Sequence, residues 1–407
     1  MRGRAIRLAA TGASMSESGG DTKPTTEPGR RRAIVLIPGM KREERFYRRD
    51  ILISNLETVE RHPLIRGEEV SAGGETGLRL TLAPLRGAGG DAVAAPLAAV
   101  DVFEAYWGDM IPEQGEQAPW SKLAQGLELV GYWVFSLRSW QAVASSTRNG
   151  SFMIAIGLIM GGLTLVAWYL MLAVLVGQAV APGGVVPDDL KGIPLVSDLV
   201  SAFGLVTGWL AAHAWWAVLP FLLAMLQVDA LVLLARFTKD YFENREDESG
   251  VGLRDRLRRR IVAALESVLV AGYDEVVVVA HSFGTVIATD ILADWPHEAD
   301  LRRLSLVSLG SPIAVLRFRS SWLEGERREL LQPRRLAAWV DYFSPSDWLC
   351  GAVTGHRESY GEAMSRKLDF EAPWPQKLSG QTHLCYYRDP RVLEQLVAPL
   401  ASQPVKI

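Results

Sequence analysis

Apolar runs of two lengths organise the chain. The short ones lie at 33–37, 78–84, 99–106, 275–281 and 337–343, and Val276, Val277, Val278 and Val279 fill the centre of one of them. A short run that is apolar at every position, rich in β-branched residues and bounded by turn residues, reads as a strand covered on both faces, as in a parallel sheet. Gly- or Ala-rich segments at 65–76 and 86–95 read as loops around the strand 78–84. A helix is expected to begin at KREERFYRRD after the first strand, and a final amphipathic helix spans about 389–401. Strands separated by helices predict an α/β fold with a mostly parallel sheet flanked by helices.

The long runs are of another kind. Residues 150–187 carry no charge, and 151–177 are almost wholly apolar, a stretch of 27 residues. At ~1.5 Å per residue that exceeds the ~30 Å of a bilayer core even when tilted. A second apolar run covers 202–228 and contains His213 and Pro220, with Asp229 just beyond it. Both are expected to be transmembrane helices. Arg138, Arg148, Arg236 and Lys239 flank them on the outer sides, while the loop 178–201 has only Lys191. That asymmetry puts the outer flanks, and so both halves of the soluble domain and both termini, in the cytoplasm. Gly157 and Gly161 have the spacing of a close helix contact, which would suit a homo-oligomer. Between 120 and 143, Trp120, Trp133 and Trp140 alternate with Lys122, Glu128 and Arg138. That stretch fits a helix at the headgroup level or one packed on the soluble domain.

The organisation that follows is a disordered tail at 1–31, a first half-domain at 32–128, a membrane insertion at 129–240 with spans at about 151–177 and 202–228, and a second half-domain at 241–403. The tail is polar and rich in Gly, Ser, Thr, Pro and Arg.

Chemistry concentrates where the valine strand ends, at Ala280-His281-Ser282-Phe283-Gly284-Thr285. Small residues two before and two after Ser282 suit a sharp strand-to-helix turn that lifts the hydroxyl clear and leaves backbone N–H groups free. A buried strand followed by an N-cap serine is the plainer alternative. Among six histidines, His383 in the polar segment SGQTHLCYY ahead of the last helix is best placed to reach such a serine. His356 follows Asp347 by only nine residues and needs an unusually tight return. Asp347 ends a strand in the turn Ser-Pro-Ser-Asp, at the edge where open α/β sheets put functional groups. Asp341 is mid-strand, and a buried carboxylate there needs partners. Pro38-Gly39-Met40 closes the first strand, and the Met40 and Phe283 amides together could bind an oxyanion.

LIPGM (36–40), VVVVAHSFGT (276–285), SLGSP (308–312), SPSDWL (344–349) and THLCYY (382–387) resemble the α/β-hydrolase superfamily, in particular its lipase- and esterase-like serine hydrolases. The resemblance covers roughly 32–128 and 250–403. The chain departs from that pattern in having Ala280 for the first glycine of the elbow and Ile37-Pro38-Gly39 for a His-Gly oxyanion loop. The resemblance implies an α/β-hydrolase-like sheet interrupted by a two-helix transmembrane insertion. It further implies that Ser282 attacks an acyl carbonyl, His383 takes its proton, Asp347 orients the imidazole, and Met40 and Phe283 form the oxyanion hole. No cofactor or metal is called for.

Composition narrows the choice. Of 407 residues 49% are hydrophobic, enough for a large core plus a membrane element, and a net charge of −3 gives no case for nucleic acid. The two cysteines, Cys350 and Cys385, do not make a disulfide scaffold and read as packed thiols. KREERFYRRD and RDRLRRR (254–260) read as ion-paired helix faces, with an acidic headgroup or anionic lipid as the alternative ligand. The expected function is a membrane-anchored serine hydrolase of an ester or thioester, for which a lipid-derived substrate fits. The alternative of another class is a catalytically silent membrane scaffold or signalling module. A transporter built on the helix pair is disfavoured by the few polar groups in the two runs.

Overall fold

The computed structural model describes residues 30–59, 64–82, 85–86, 92–93, 97–113, 119–148, 151–180, a few positions between 202 and 212, 228–333, 335–354 and 363–398. The expected tail and nearly all of the second apolar run lie outside the described residues.

Eight strands form one sheet: β1 (Arg30–Ile37), β2 (Leu64–Ala72), β3 (Glu75–Leu82), β4 (Leu97–Glu104), β5 (Glu275–His281), β6 (Leu304–Leu309), β7 (Ala338–Phe343) and β8 (Ala363–Lys367). Their spatial order is β8-β7-β6-β5-β1-β4-β3-β2. The six from β8 to β4 are parallel, and β3 and β2 close one edge antiparallel. The protein is therefore of α/β class, with a mixed, mostly parallel sheet. A separate two-stranded ladder pairs Leu85–Arg86 with Ala92–Val93.

The valine run explains the layers. Val276 and Val278 pack into the core on one sheet face and Val277 and Val279 into the core on the other, all fully buried. On the first face lie α6 (Leu253–Leu269) and α7 (Phe283–Ala293); on the second lie α1 (Tyr47–Leu56) and the terminal α8 (Pro390–Val397). Between β4 and α6 the chain inserts α2 (Pro119–Trp133), α3 (Leu137–Arg148), α4 (Phe152–Val180) and α5 (Val228–Phe242). Within α4, Phe152–Val174 is long and apolar enough to cross a membrane, with mean hydropathy 2.0. Its one face packs on α2 and α5 through Leu165, Tyr169, Leu129 and Ala235. The stripe Phe152, Ile156, Ile159 and Leu163 on its other face is exposed.

Three expectations need correction. Residues 64–72 are not a loop but β2, paired to β3 across Gly73-Gly74, both at positive φ (55° and 97°), a turn geometry that glycine takes without steric cost. The charged segment 41–46 is not helical: α1 starts at Tyr47, after Phe46 at φ 73°. Its charges are spent on internal pairs, Arg48 and Lys41 with Glu43 and Arg45 with Glu75. The stretch 120–143 breaks into α2 and α3 and leaves Leu127, Phe135, Leu137 and Trp140 exposed. RDRLRRR is the ion-paired helix face expected of it: Arg254 and Arg258 pair with the fully buried Asp290, Arg256 with Asp247 and Arg260 with Asp109.

Candidate active site

β5 delivers Ser282 to the carboxyl edge of the sheet. The residue has φ 52° and ψ −126°, a region L-residues rarely occupy, and its side chain makes no cap hydrogen bond to α7. Backbone strain of that order, roughly 1–3 kcal/mol, persists only where the surroundings enforce it. Here the Ser282 amide donates to the Leu309 carbonyl (2.9 Å), and its own carbonyl accepts from the Thr285 amide and hydroxyl. The following helix then presses on the loop after β1. A Cβ added at Gly284 would stand 2.5 Å from the Ile37 oxygen and 2.6 Å from the Pro38 oxygen, and one at Gly39 would meet the Ser282 Cβ at 2.9 Å. The small residue two beyond the serine is thus demanded by backbone on the neighbouring loop. Gly284→Ala, despite a better helix former, is expected to cost about 1–3 kcal/mol and to lower the thermal midpoint by several degrees; an unchanged midpoint would show that the loop yields.

The loop after β1 is pinned from behind. Trp107 is fully buried and its indole N–H donates to the Pro38 carbonyl (2.9 Å). Met40 and Phe283 follow the two turns, and neither amide donates to another protein group among the described residues. Met40, Ser282 and His383 border the same cavity.

Asp347 and His383 come together at the edge. Asp347 follows β7 and is fully buried; His383 is 8% exposed. The His383 Nδ1 donates to Asp347 Oδ2 at 2.6 Å. That carboxylate also accepts from the Tyr386 hydroxyl (3.0 Å) and the Leu349 amide (3.0 Å). Burial by itself raises the Asp347 carboxyl. The His383 ring and the hydrogen bonds from His383, Cys350 and the Leu349 amide outweigh it and hold the group below the usual carboxylate range. With Nδ1 committed as donor, the lone pair of the neutral ring is on Nε2, which is buried and makes no hydrogen bond. Among the described residues nothing has claimed it, Ser282 included; such bonds are often open before substrate binds.

Three supporting residues were not singled out from the sequence. The segment 381–388 is a 3₁₀ helix, not an open loop, so His383 and Tyr386, three apart, share one face and both reach Asp347. Burial raises the Tyr386 phenol far above its ordinary value, which keeps it a donor. Gly310 (φ 58°) turns the chain after β6, and a Cβ there would stand 3.1 Å from His383 Cε1. His281, whose ring centroid lies 4.8 Å from that of His383, binds the His383 backbone carbonyl through Nε2 at 2.8 Å. A carbonyl only accepts, so His281 carries its proton on Nε2. Burial, then the neighbouring His383, pushes its imidazole down to about 3, and it stays neutral.

The remaining candidates lie apart from this group. Asp341 is buried in β7 with the partners such a position needs: the Ser308 hydroxyl (2.7 Å), the Ser365 hydroxyl (2.8 Å) and the Val353 amide (2.9 Å). Burial pushes its carboxyl up to about 6. His356 lies outside the described residues. Both cysteines are free; Cys350 is buried with its Sγ 2.9 Å from the Tyr386 hydroxyl.

No family model, curated protein or solved structure matches the chain.

Proposed function

We propose that the chain is a membrane-anchored serine hydrolase with an α/β-hydrolase-like fold, cleaving an ester or thioester through an acyl-enzyme. The observation that carries this reading is the convergence at one sheet edge of a strained Ser282 and an imidazole fixed by a buried carboxylate, its second nitrogen unclaimed. A serine serving only as a helix cap needs neither the strain nor the ordered imidazole beside it. In the proposed cycle His383 Nε2 takes the Ser282 proton as the oxygen attacks the carbonyl, and the tetrahedral oxyanion accepts from the Met40 and Phe283 amides. The same imidazole, now charged beside Asp347, protonates the leaving alcohol or thiol. It then activates water against the acyl-serine, releasing the acid and regenerating Ser282. Anchoring through α4, with catalysis on the cytoplasmic side, rests on the length of the apolar helix and on the flanking basic residues.

The direct test is labelling of the full-length protein, in membranes, with a fluorophosphonate probe. Wild type is expected to label; Ser282→Ala and His383→Ala are expected not to. Folded wild type that stays unlabelled by probes of several sizes would overturn the hydrolase reading in favour of a silent scaffold.

A further inference from the structure

Two cavities meet at Ser282, one on each side of α4. Both are bordered by Gly157, Gly161, Leu231, Leu234 and Trp348. The first, about 260 Å³, runs between α3 and α4 and is walled by Trp133, Val143, Leu158, Leu165 and Leu316. Its single charged neighbour, Arg319, stacks on Tyr132 at 3.8 Å. The second, about 280 Å³, passes under Met40 and His383 and is bordered by Thr164, Ser379 and Gly380. The first arm is therefore predominantly apolar, with Ser139, Thr238 and Arg319 as its polar neighbours besides Ser282, and the second has less apolar wall and borders His383.

We infer that the site takes an acyl donor with one long hydrocarbon chain, seated in the first arm with its carbonyl at Ser282, and that the chain arrives from the bilayer. The reaction rests on the hydrolase reading above; the chain slot rests on the cavity. An acyl group bearing charge or several polar atoms would lose most of its hydration in the first arm, where few side chains could replace it. The space comes from glycines of α4. At Gly162 the closest atom to an added Cβ is Val134 Cγ2 at 3.6 Å, and at Gly161 it is Leu231 Cδ1 at 3.8 Å. The mouth gives the direction of entry. Trp140, Ile159 and Leu163 line this arm and are 53%, 40% and 58% exposed, the latter two on the bare stripe of the helix long enough to span a membrane. A chain can pass from lipid into the arm without crossing water. The leaving group then occupies the second arm, where the charged His383 can protonate it.

Two substrate series on the full-length protein in nanodiscs test this. With a constant p-nitrophenol leaving group, kcat/KM is expected to rise about three- to fourfold per added acyl methylene until the arm is full. Gly162→Leu, which projects into the first arm alone, is expected to cut the ratio of dodecanoyl to butanoyl kcat/KM at least tenfold. Ala230→Trp, at the rim of the second arm, should instead change the dependence on leaving-group size at constant acyl length. Exchange of these two effects, or cleavage indifferent to acyl length, overturns the slot while leaving the hydrolase reading intact. A second readout is independent of turnover. Ser282→Ala is expected to bind a fluorescent fatty acid, and the added Gly162→Leu change to weaken that binding at least tenfold. If binding behaves so and no ester is cleaved, the slot stands and the hydrolase reading fails. Finally, one single-chain p-nitrophenyl ester is offered held in phosphatidylcholine vesicles and free in solution below its micelle concentration. Faster cleavage of the vesicle-held donor is expected, and preference for the soluble one overturns entry from the bilayer.

Discussion

Ser282→Ala is expected to lower kcat for an acyl ester by about a million-fold, the loss seen when the nucleophile of a Ser-His-Asp triad is removed. Ser282→Gly should be as inactive, but its effect on stability separates the two roles a serine can have at this position. As an ordinary N-cap, serine would be better than or equal to glycine, by a few tenths of a kcal/mol. The observed serine makes no cap bond and is held at φ 52°. Glycine takes positive φ without steric cost, so Ser282→Gly is expected to stabilise the fold by about 1–3 kcal/mol, the strain a non-glycine residue stores there. Part of this is offset by the greater freedom of glycine in the unfolded chain. Denaturation midpoints of wild type and variant, read beside activity, give both quantities. A Ser282→Gly protein that is less stable than wild type would mean that the turn exists for packing and not to present the hydroxyl.

The parts of this site visible in the sequence are those governed by local chemistry. Val276–Val279 could only be a strand buried on both faces, and the Ala280-x-Ser282-x-Gly284 spacing anticipated a turn whose tightness Gly284 records against two backbone oxygens. His383 and Asp347, 36 residues apart, are paired by the resemblance and form a 2.6 Å hydrogen bond. What could not be read was set by tertiary packing. A helix apolar all round has no preferred face in its sequence, so nothing in 151–177 disclosed that α4 lies over Ser282. Gly157 and Gly161 looked like a contact between spanning helices. In the structure Gly157 faces Trp348, at 2.5 Å from an added Cβ, and Gly161 faces Leu231 of α5. The Gly73-Gly74 hairpin, by contrast, was legible and missed: two glycines ahead of the alternating run Leu78-Arg79-Leu80-Thr81-Leu82 are a turn signal. It was obscured because β2 lies at the sheet edge and is mostly exposed, with few apolar residues to mark it.

Asp347→Asn carries the second large effect, expected at about 10⁴-fold in kcat. The argument is one of tautomers. In the wild type a carboxylate that can only accept fixes the proton of neutral His383 on Nδ1, leaving Nε2 as base. An amide in the same place can turn its NH₂ toward Nδ1, which moves the proton to Nε2 and removes the base. It also takes away the negative charge that would stabilise the imidazolium in the proposed attack. The pH dependence of stability offers a check independent of activity. Asp347 has its carboxyl held below the ordinary value of 3.8 in the folded state. Its contribution to stability is therefore fully present above the unfolded carboxylate pKa and is lost as pH falls through the lower folded one. The stability gap between wild type and Asp347→Asn should be constant above about pH 5 and should narrow below about pH 4. Were Asp347→Asn to keep kcat within tenfold while Ser282→Ala and His383→Ala are dead, the carboxylate would be a packing residue. Asp341, the other acid weighed for this role, could not replace it, because its carboxyl, pushed up to about 6 by burial, is committed to Ser308, Ser365 and the Val353 amide inside the sheet.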